Sequence, residues 1–494
     1  MKAKLMQLAK SQFVFWRALA LTGLFCALSC RAAIAQTPEP LPPGPPPAAD
    51  RPHLDPFPAE QDWSFLADSM RRSDPYDRLK YLPWGSDTQH YASLGFEQRT
   101  EYEYFDHWMF GAGPQDRNGY AMIRVMPHVD LHGGPDLRFF TEMQFDYSVD
   151  RNGGPRPGLD EDRGDFHQGF LEVGPHVSRE RGASLRLGRQ EIVLGAGRLF
   201  DNNEGPNVKL SFDGARLIAQ SARFRWDNFV AKPVQDNQGF FDDTPNHAQT
   251  TWGSYLTAPL PIITRGKVDL YYLGLATASA AYNRGTANEL RHTVGARFFR
   301  DPAAGIDYNW ELNYQFGSFG ADRVRAWSVS AETGYTLSHV PFRPRPLLRV
   351  DAYSGDSDPA GHTLGTYNPY FPRGAYFTPK VVPFVGNQNL MDVHPQVQFF
   401  ARQNVTGEIG WSWYWRESPH DGVYAFGSGA LVDPANASRA RLLGDQGDME
   451  IRWSPASHIV AALNVAGFQP RGFLTQFPDH RPPIAANIGI TYRF

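Results

Sequence analysis

The last stretch of the chain alternates apolar and polar residues up to an aromatic carboxyl terminus. Ile488, Ile490, Tyr492 and Phe494 share one parity, and small or polar residues occupy the positions between them. A period of two places successive side chains on opposite faces of a β-strand. The pattern therefore predicts an amphipathic strand with one apolar face and one polar face.

The same alternation recurs along most of the chain, with charged residues on the polar face. Phe96 and Tyr102, for example, alternate with Glu97, Arg99 and Glu101. A wide barrel lines its aqueous lumen with such charges, whereas a soluble sandwich usually shows short polar faces to water. Eighteen segments carry the pattern, beginning near residues 91, 120, 136, 166, 183, 209, 222, 250, 266, 290, 305, 325, 346, 393, 405, 443, 457 and 484.

The connections between these segments alternate between short turns and long loops. An even strand number with short turns on one side is the arrangement of bacterial outer-membrane barrels. We therefore predict an all-β fold, a transmembrane antiparallel up-and-down β-barrel of about 18 strands.

The amino-terminal end of the chain has the features of an export signal. Basic residues precede an apolar run that ends before Ala33-Ile34-Ala35, a small-x-small cleavage pattern. We predict a signal peptide over 1–35, a Pro-rich periplasmic arm over 36–85 with one short helix over 63–72, and the barrel over 86–494. An exported barrel predicts localisation in the outer membrane, in contact with lipid, with Phe494 as the signal read by the assembly machinery.

Composition narrows the class of protein further. Without residues 1–35 the chain has 43 basic and 52 acidic residues, a balance that argues against nucleic acid as a partner. The full chain of 494 residues has 12 Trp, 21 Tyr and 34 Phe, and this aromatic content suits the aromatic girdles of a membrane barrel. A secreted β-rich protein that binds or cleaves carbohydrate is the alternative from another class.

Several longer motifs carry a resemblance to a known family. They are LRLGRQEIVLGAGRLF over 185–200, SFDG over 211–214, RHTVG over 291–295, GTYNPYFPRGAY over 365–376 and GDQGD over 444–448. Residues 76–494 resemble the alginate export family of outer-membrane proteins. The resemblance implies a monomeric barrel of eighteen strands whose arginine-rich pore conducts an anionic polysaccharide. A general uptake porin for small anionic solutes is the alternative within this fold.

Arginine dominates the basic residues of the chain after residue 35, with 38 Arg against five Lys. A guanidinium grips a carboxylate with two hydrogen bonds, so arginine suits the recognition of uronates. We predict that the substrate path is lined by Arg99, Arg124, Arg138, Arg186, Arg189, Arg216, Arg291, Arg297, Arg349, Arg373, Glu97, Glu101 and Glu142. Alternation also points Arg416 and Arg452 inward. The competing interpretation is that these charges pair across the lumen and fill it.

The remaining candidate sites are weaker. The loop over 355–392 is long and aromatic, and we expect it to fold inward and narrow the lumen. Asp236, Asp242 and Asp243 match no defined calcium loop, which favours a solvated acidic loop. Asp160 to Asp162 look like surface charge rather than a glycosidase pair. We expect no catalytic residues, no metal, no cofactor and no enzymatic activity.

Overall fold

The strand pattern is realised as a single barrel wall. The computed structural model describes residues 51–494 except 53, 86, 112–113, 176–180, 375–384, 403, 426–429, 433–438 and 477–479. The barrel strands β1 to β18 are His90–Asp106, Tyr120–Gly133, Leu137–Val149, Asp162–Val173, Arg181–Gln190, Phe212–Ser221, Phe224–Gln235, Gln249–Pro259, Lys267–Tyr282, Gly285–Arg300, Gly305–Phe319, Asp322–Thr336, Arg345–Tyr353, Leu390–Arg402, Val405–Trp415, Leu442–Ala456, Ile459–Pro470 and Ile484–Arg493.

Every barrel strand pairs antiparallel with its neighbours in the chain, and β18 pairs back onto β1. The closing register sets Glu97 opposite Arg493 and Tyr102 opposite Ile488. Closure leaves the sheet without a free edge, as hydrocarbon requires of a membrane-spanning sheet. The predicted fold, a closed antiparallel barrel of eighteen strands, is confirmed.

Most strands begin within three residues of the predicted positions. The exceptions are β4, which begins at Asp162 rather than near 166, and β10, which begins at Gly285 rather than near 290. The pairing of β3 with β4 has two register shifts, which interrupt the period of two. β10 follows β9 after only two residues, a turn too short to break the pattern visibly.

Exposure alternates along each strand as the sequence pattern predicts. Ile488 and Ile490 of β18 are each 57% exposed on the outer face. Asn487, the residue before Ile488, is buried inside the barrel. Leu312 of β11 and Leu270 of β9 are likewise exposed outward. An apolar band on the outside and polar side chains inside are the two faces of a membrane barrel.

The arm that precedes the barrel has little regular structure. The predicted helix over 63–72 is wrong, because this segment forms two short 3-10 turns, Ser64–Ala67 and Ser69–Arg71. A third 3-10 turn spans Pro58–Glu60, and a single α-helical turn spans Asp77–Lys80. No helix in the described residues has the length and apolar character needed to cross a membrane. Residues 1–50, with the predicted signal peptide, lie outside the described part.

Minor elements complete the described fold. Two further 3-10 turns lie in connections between strands, at Trp108–Gly111 and Leu474–Gln476. Short strands occur at Leu82–Pro83, Thr244–Pro245, Thr363–Leu364, Val423–Tyr424 and Ala430–Val432.

The arm packs against the start of β1 and the carboxyl terminus. Trp63, Tyr81 and Tyr91 form a buried cluster, in which the rings of Tyr81 and Tyr91 stack at 4.8 Å. Lys80 is only 2% exposed, and its ammonium lies 5.1 Å from the Trp63 ring and 5.8 Å from that of Phe494. The terminal ring is thus held by the arm; its role as an assembly signal stays a prediction.

The two faces of β18 provide a test of membrane orientation. Replacing Ile490 with Arg puts a charge on the lipid face, which costs roughly 2–4 kcal/mol near the bilayer midplane. We expect Ile490→Arg to reduce insertion into lipid vesicles, measured by heat-modifiable mobility on SDS gels. Thr491→Arg, one residue away and facing water in the lumen, should insert normally. Equal behaviour of the two variants would contradict the orientation of β18.

Lys80 makes stability depend on pH. Burial lowers its pKa to about 8 from an ordinary 10.5, although Asp130 offsets part of this effect. Between these two values the folded protein has lost the Lys80 proton and the unfolded chain keeps it, so stability rises with pH. We expect Lys80→Met to abolish this rise and to stabilise the protein at pH 7 by on the order of 1–3 kcal/mol. Unfolding by urea in detergent at pH 7 and pH 10 measures both effects; a wild-type protein that loses stability relative to Lys80→Met above pH 8 would contradict this.

Candidate functional site

The lumen contains a water-accessible cavity of about 360 Å³. Its wall is formed by the inward faces of β1 and β13 to β18, by the loop between β5 and β6, by Arg373 of the loop between β13 and β14, and by the arm. The polar faces that alternation predicts therefore meet here, around a space inside the barrel. The charged residues that line it are Arg99, Glu101, Glu204, Arg349, Arg373, Glu408, Asp448, Glu450, Arg452 and Arg493, together with His394.

The loop between β5 and β6 enters the lumen and is fixed there by two arginines. Arg99 donates from Nη1 to the carbonyl oxygen of Glu204 at 2.8 Å, and it also donates to the carbonyl oxygen of Pro206. Arg124 donates from Nη2 to the carboxylate of Glu204 at 2.6 Å. Burial opposes ionisation of Glu204, but Arg124 and Lys209 outweigh it and lower the pKa of this carboxyl.

The loop between β13 and β14 is fixed by the wall in the same way. Arg291 donates from Nη1 to the carbonyl oxygen of Thr366 at 3.0 Å, and Gln315 donates to that of Asn368 at 2.7 Å. Arg291 belongs to the RHTVG motif and Thr366 to the GTYNPYFPRGAY motif, so one contact joins two of the blocks that carry the resemblance. The expected inward fold of this loop is observed in its described residues.

The two loops also pair with each other across the lumen. The backbone N–H of Phe371 donates to Leu199 at 2.9 Å, and that of Asp201 donates back to Phe371 at 2.9 Å. The ring of Phe200 contacts that of Phe371 at 5.2 Å. Arg373, two residues after Phe371, is exposed and lines the cavity. The two loops therefore form one constriction.

The arm occupies the same lumen. Pro56 and Phe57 line the cavity, and the carbonyl oxygen of Pro56 accepts a hydrogen bond from Lys209 at 3.1 Å. Arg138 donates to the carbonyl oxygen of Ala59 at 2.9 Å. Glu60 pairs with Arg186 at 2.7 Å. Arginines of the barrel wall thus hold part of this protein's own chain.

Four of the residues predicted for the substrate path line this cavity. Arg99, Arg349, Arg373 and Glu101 do so, although they differ in what they contact. Arg349 is hydrogen-bonded to the Nδ1 atom of His394 at 2.6 Å, and Arg99 lies 3.7 Å from Glu101.

Most of the other predicted arginines are buried in ion pairs within the wall. Arg124 pairs with Glu97, Arg138 with Asp130, Arg186 with Glu172, Arg216 with Asp227, Arg291 with Glu289 and Arg297 with Asp269, all at 2.6–2.8 Å. Glu142 accepts a hydrogen bond from Gln168 at 2.9 Å. For this subset the charges do pair with one another, as the competing interpretation has it, but each partner lies on the same or a neighbouring strand of the wall rather than across the lumen.

Arg189 is placed differently from its neighbour Arg186. It shares parity with Leu187, which is exposed on the outer face, and it pairs with Asp213 at 3.0 Å. These residues come from the GRQ and SFDG motifs, so the contact joins two further motif blocks near the rim. Alternation along β5 corrects the expectation that Arg189 faces the lumen.

The sequence-based set omitted several residues that line the cavity. Arg452, Glu450 and Asp448 alternate along β16, so parity alone identifies them as inward-facing; Arg452 was expected to point inward but was left out of the substrate path. Parity along β14 identifies His394 as inward-facing in the same way. Glu204 lies in a loop, and no local pattern in the sequence indicates that it turns inward.

The cavity holds both signs of charge. Among the described residues that line it, five are arginines and five are carboxylates. A lining of mixed sign gives weak, repeated contacts, which a conducting path needs because the solute must leave again.

Comparison with known families and structures identifies the chain. The model of the alginate export family matches residues 90–482, which is most of the chain. The chain belongs to the alginate export family. Comparison with curated protein sequences gave no match. Family and fold make this protein an outer-membrane channel for anionic solutes, and not an enzyme.

The fold is shared with solved porins of Pseudomonas aeruginosa. OpdK with vanillate matches with a TM-score of 0.54 at 10% identity, over 82% of this chain and 98% of that one. OccK2 (OpdF) in complex with glucuronate matches with a TM-score of 0.53 at 10% identity, over the same shares. OccK11 (OpdR) matches with a TM-score of 0.52 at 12% identity, over 84% and 98%. At such identities the likeness concerns the fold alone.

The arm provides a direct test of this geometry. Deleting residues 54–61 removes Pro56 and Phe57 from the cavity and frees Arg138 and Arg186 from their contacts with the arm. We expect a larger single-channel conductance in planar bilayers than that of the wild-type channel. Glu60→Gln, which keeps the arm and removes the ion pairs of Glu60 with Arg186 and Arg225, should give a smaller increase. An unchanged conductance after the deletion would show that the arm does not narrow the path.

Proposed function

We propose that the channel conducts an acidic polysaccharide, or uronate oligomers derived from it, through the arginine-containing cavity. The observation that carries the proposal is the exposure of two guanidinium groups to cavity water. Arg373 reaches it from the constriction, and Arg452, whose side chain is 49% exposed, reaches it from β16. Most of the other arginines of the predicted set are buried in ion pairs, so these two are the most accessible contacts for a passing carboxylate.

The chemistry of the two arginines suits a chain of carboxylated sugars. A guanidinium forms two parallel hydrogen bonds with a carboxylate and stays charged at every physiological pH. Arg452 also contacts Glu450, which competes with a solute for the same donors. Competition of this kind keeps each contact weak, so a polymer can pass from one arginine to the next. The family's name and the glucuronate complex of OccK2 support a uronate.

A second candidate is the uptake of small anionic solutes. A volume of about 360 Å³ lies at the lower end of the roughly 300–1,000 Å³ typical of small-molecule sites. The arm and both loops also enter the lumen, so we expect a polymer to require movement of the arm and a small solute to pass without it. OpdK, solved with vanillate, supports this candidate. One chain encloses the whole cavity, which supports a monomeric channel in either case.

Removing both exposed arginines tests the proposal. We expect Arg373→Gln with Arg452→Gln to lower the anion-to-cation permeability ratio by roughly twofold or more at low salt, where the Debye length reaches about 30 Å. Block of the current by oligouronates should weaken in parallel. The measurement is the reversal potential in a salt gradient across a planar bilayer, followed by titration with oligouronates.

The matched control removes two cations that lie outside the cavity. Arg223 and Lys267 lie at periplasmic turns, and replacing both with Gln changes the net charge equally. This control should keep the wild-type selectivity. A wild-type channel that prefers cations would overturn the proposal. A channel blocked equally by a monouronate and an oligouronate would favour the second candidate.

A further inference from the structure

A cluster of buried carboxylates lies where β4 meets the loop between β7 and β8. Asp162 and Asp165 come from β4, and Asp243 comes from the loop. One carboxylate oxygen of each lies within 4.8 Å of those of the other two. Asp162 and Asp165 are buried, at 1% and 5% exposure, and the side chain of Asp243 is 4% exposed although the residue as a whole is partly exposed. The sequence-based expectation that Asp162 and Asp243 are solvated surface charges is therefore corrected.

The loop packs against β4 at the place where β4 no longer has β5 as its neighbour in the barrel wall. Among the described pairings β5 accompanies β4 only from Gly169 onward, because β5 ends at Gln190. The loop takes over the free edge: Phe241 donates to the carbonyl oxygen of Gly164 at 3.1 Å, and Asp242 donates its N–H to the Asp165 carboxylate at 2.8 Å. The three carboxylates lie at this junction.

Their negative charge is only partly compensated. The nearest cation is Arg189, whose Nη1 lies 3.9 Å from Asp165 and 3.8 Å from Asp243. Its guanidinium hydrogen-bonds to Asp213, to the carbonyl oxygen of Phe166 and to the backbone carbonyl oxygen of Asp243 rather than to the three carboxylates. Buried anions that lack a close partner are expensive in free energy. Another positive charge at this junction would therefore lower the free-energy cost of burying these carboxylates.

A second observation points to a ligand at the same place. In the described part of the chain, Asp162 Oδ2 has no hydrogen-bond partner, although Oδ1 accepts from the N–H of Gly164 at 3.1 Å. Asp146, directly opposite Asp162 in the sheet, is fully buried, and neither of its carboxylate oxygens has a partner there. These oxygens have the capacity to accept a ligand that the protein's own donors do not fill.

Another buried group shows what a compensated cluster looks like. Glu142, His167 and Glu191 also bring their ligating atoms within 4.8 Å of one another. There the ammonium of Lys209 lies 2.6 Å from Glu191 and supplies the positive charge. The junction of β4 and the loop has no such ammonium in the described residues.

We propose that Asp162, Asp165 and Asp243 bind a calcium ion that fastens this loop to the barrel wall. Calcium takes carboxylate oxygens at about 2.3–2.6 Å, so two of its ligands lie at most about 5 Å apart, as the three oxygens do. An all-oxygen group without His or Cys suits a hard cation rather than zinc. Calcium tolerates irregular geometry and bidentate carboxylates, which favours it over magnesium at this junction.

The test uses the folded, detergent-purified channel after treatment with EDTA. Equilibrium dialysis with radioactive calcium should show one saturable site per chain, with magnesium at equal concentration competing weakly. Asp162→Asn and Asp243→Asn should each lower the affinity at least tenfold. Asp242→Asn removes an exposed carboxylate of the same loop, and Glu142→Gln removes one from the compensated group; both should bind like the wild type.

Two further readouts distinguish a variant that fails to fold from one that folds but does not bind calcium. Heat-modifiable mobility on SDS gels shows whether each variant is a folded barrel, and limited proteolysis of the loop should slow when calcium is added. The absence of saturable binding by the folded wild-type channel at pH 7.5 would overturn the proposal. Unchanged binding by a folded Asp162→Asn variant would also overturn it, because the ion would then lie elsewhere. The experiment does not depend on which solute the channel conducts.

Discussion

Hydrogen bonds from buried guanidinium groups to carboxylates and carbonyl oxygens are the interactions on which the shape of this channel depends. A barrel of eighteen strands encloses more space than its own side chains fill, so the loops and the arm determine the path. Arg124, Arg186 and Arg291 are buried and hold, respectively, a loop, the arm and a second loop. Each contact links the rigid wall to a segment that would otherwise be free to leave the lumen.

Arginine plays two different roles in this lumen, depending on whether its side chain is buried or exposed. Buried arginines such as Arg124 and Arg291 donate to carboxylates and carbonyl oxygens, and they shape the path. The exposed side chains of Arg373 and Arg452 contact the water through which a solute passes. Because five carboxylates share the cavity with five arginines, selectivity depends on which charges are accessible rather than on how many arginines the chain contains.

The wall was predictable from the sequence because the period of two is local. β18 begins at Ile484 and β2 at Tyr120, as alternation predicts, and parity separates Ile490 on the lipid face from Thr491 in the cavity. The inward positions of Arg99 and Arg349 followed from the same rule.

The interior was harder to predict because it depends on contacts between distant residues. Glu204 meets Arg124 and Asp243 meets Asp162 only after the barrel has closed, and no local pattern encodes either pairing. Arg189 shares the parity of Leu187 on the outer face, so alternation along β5 indicates its position where composition does not. The segment over 63–72 has 3-10 hydrogen bonds, such as that from the N–H of Leu66 to the carbonyl oxygen of Trp63 at 3.0 Å, in place of the predicted helix.

A double-mutant cycle on Arg124 and Glu204 tests the central claim most directly. The free energy of unfolding would be measured in lipid vesicles for the wild type, Arg124→Gln, Glu204→Gln and the double variant. If the pair holds the loop, each single change already removes the contact between Arg124 and Glu204, so the double change costs less than the sum of the two single changes. We expect a coupling energy of about 1–3 kcal/mol. A coupling energy near zero would contradict the account, because the loop would then be held without this ion pair.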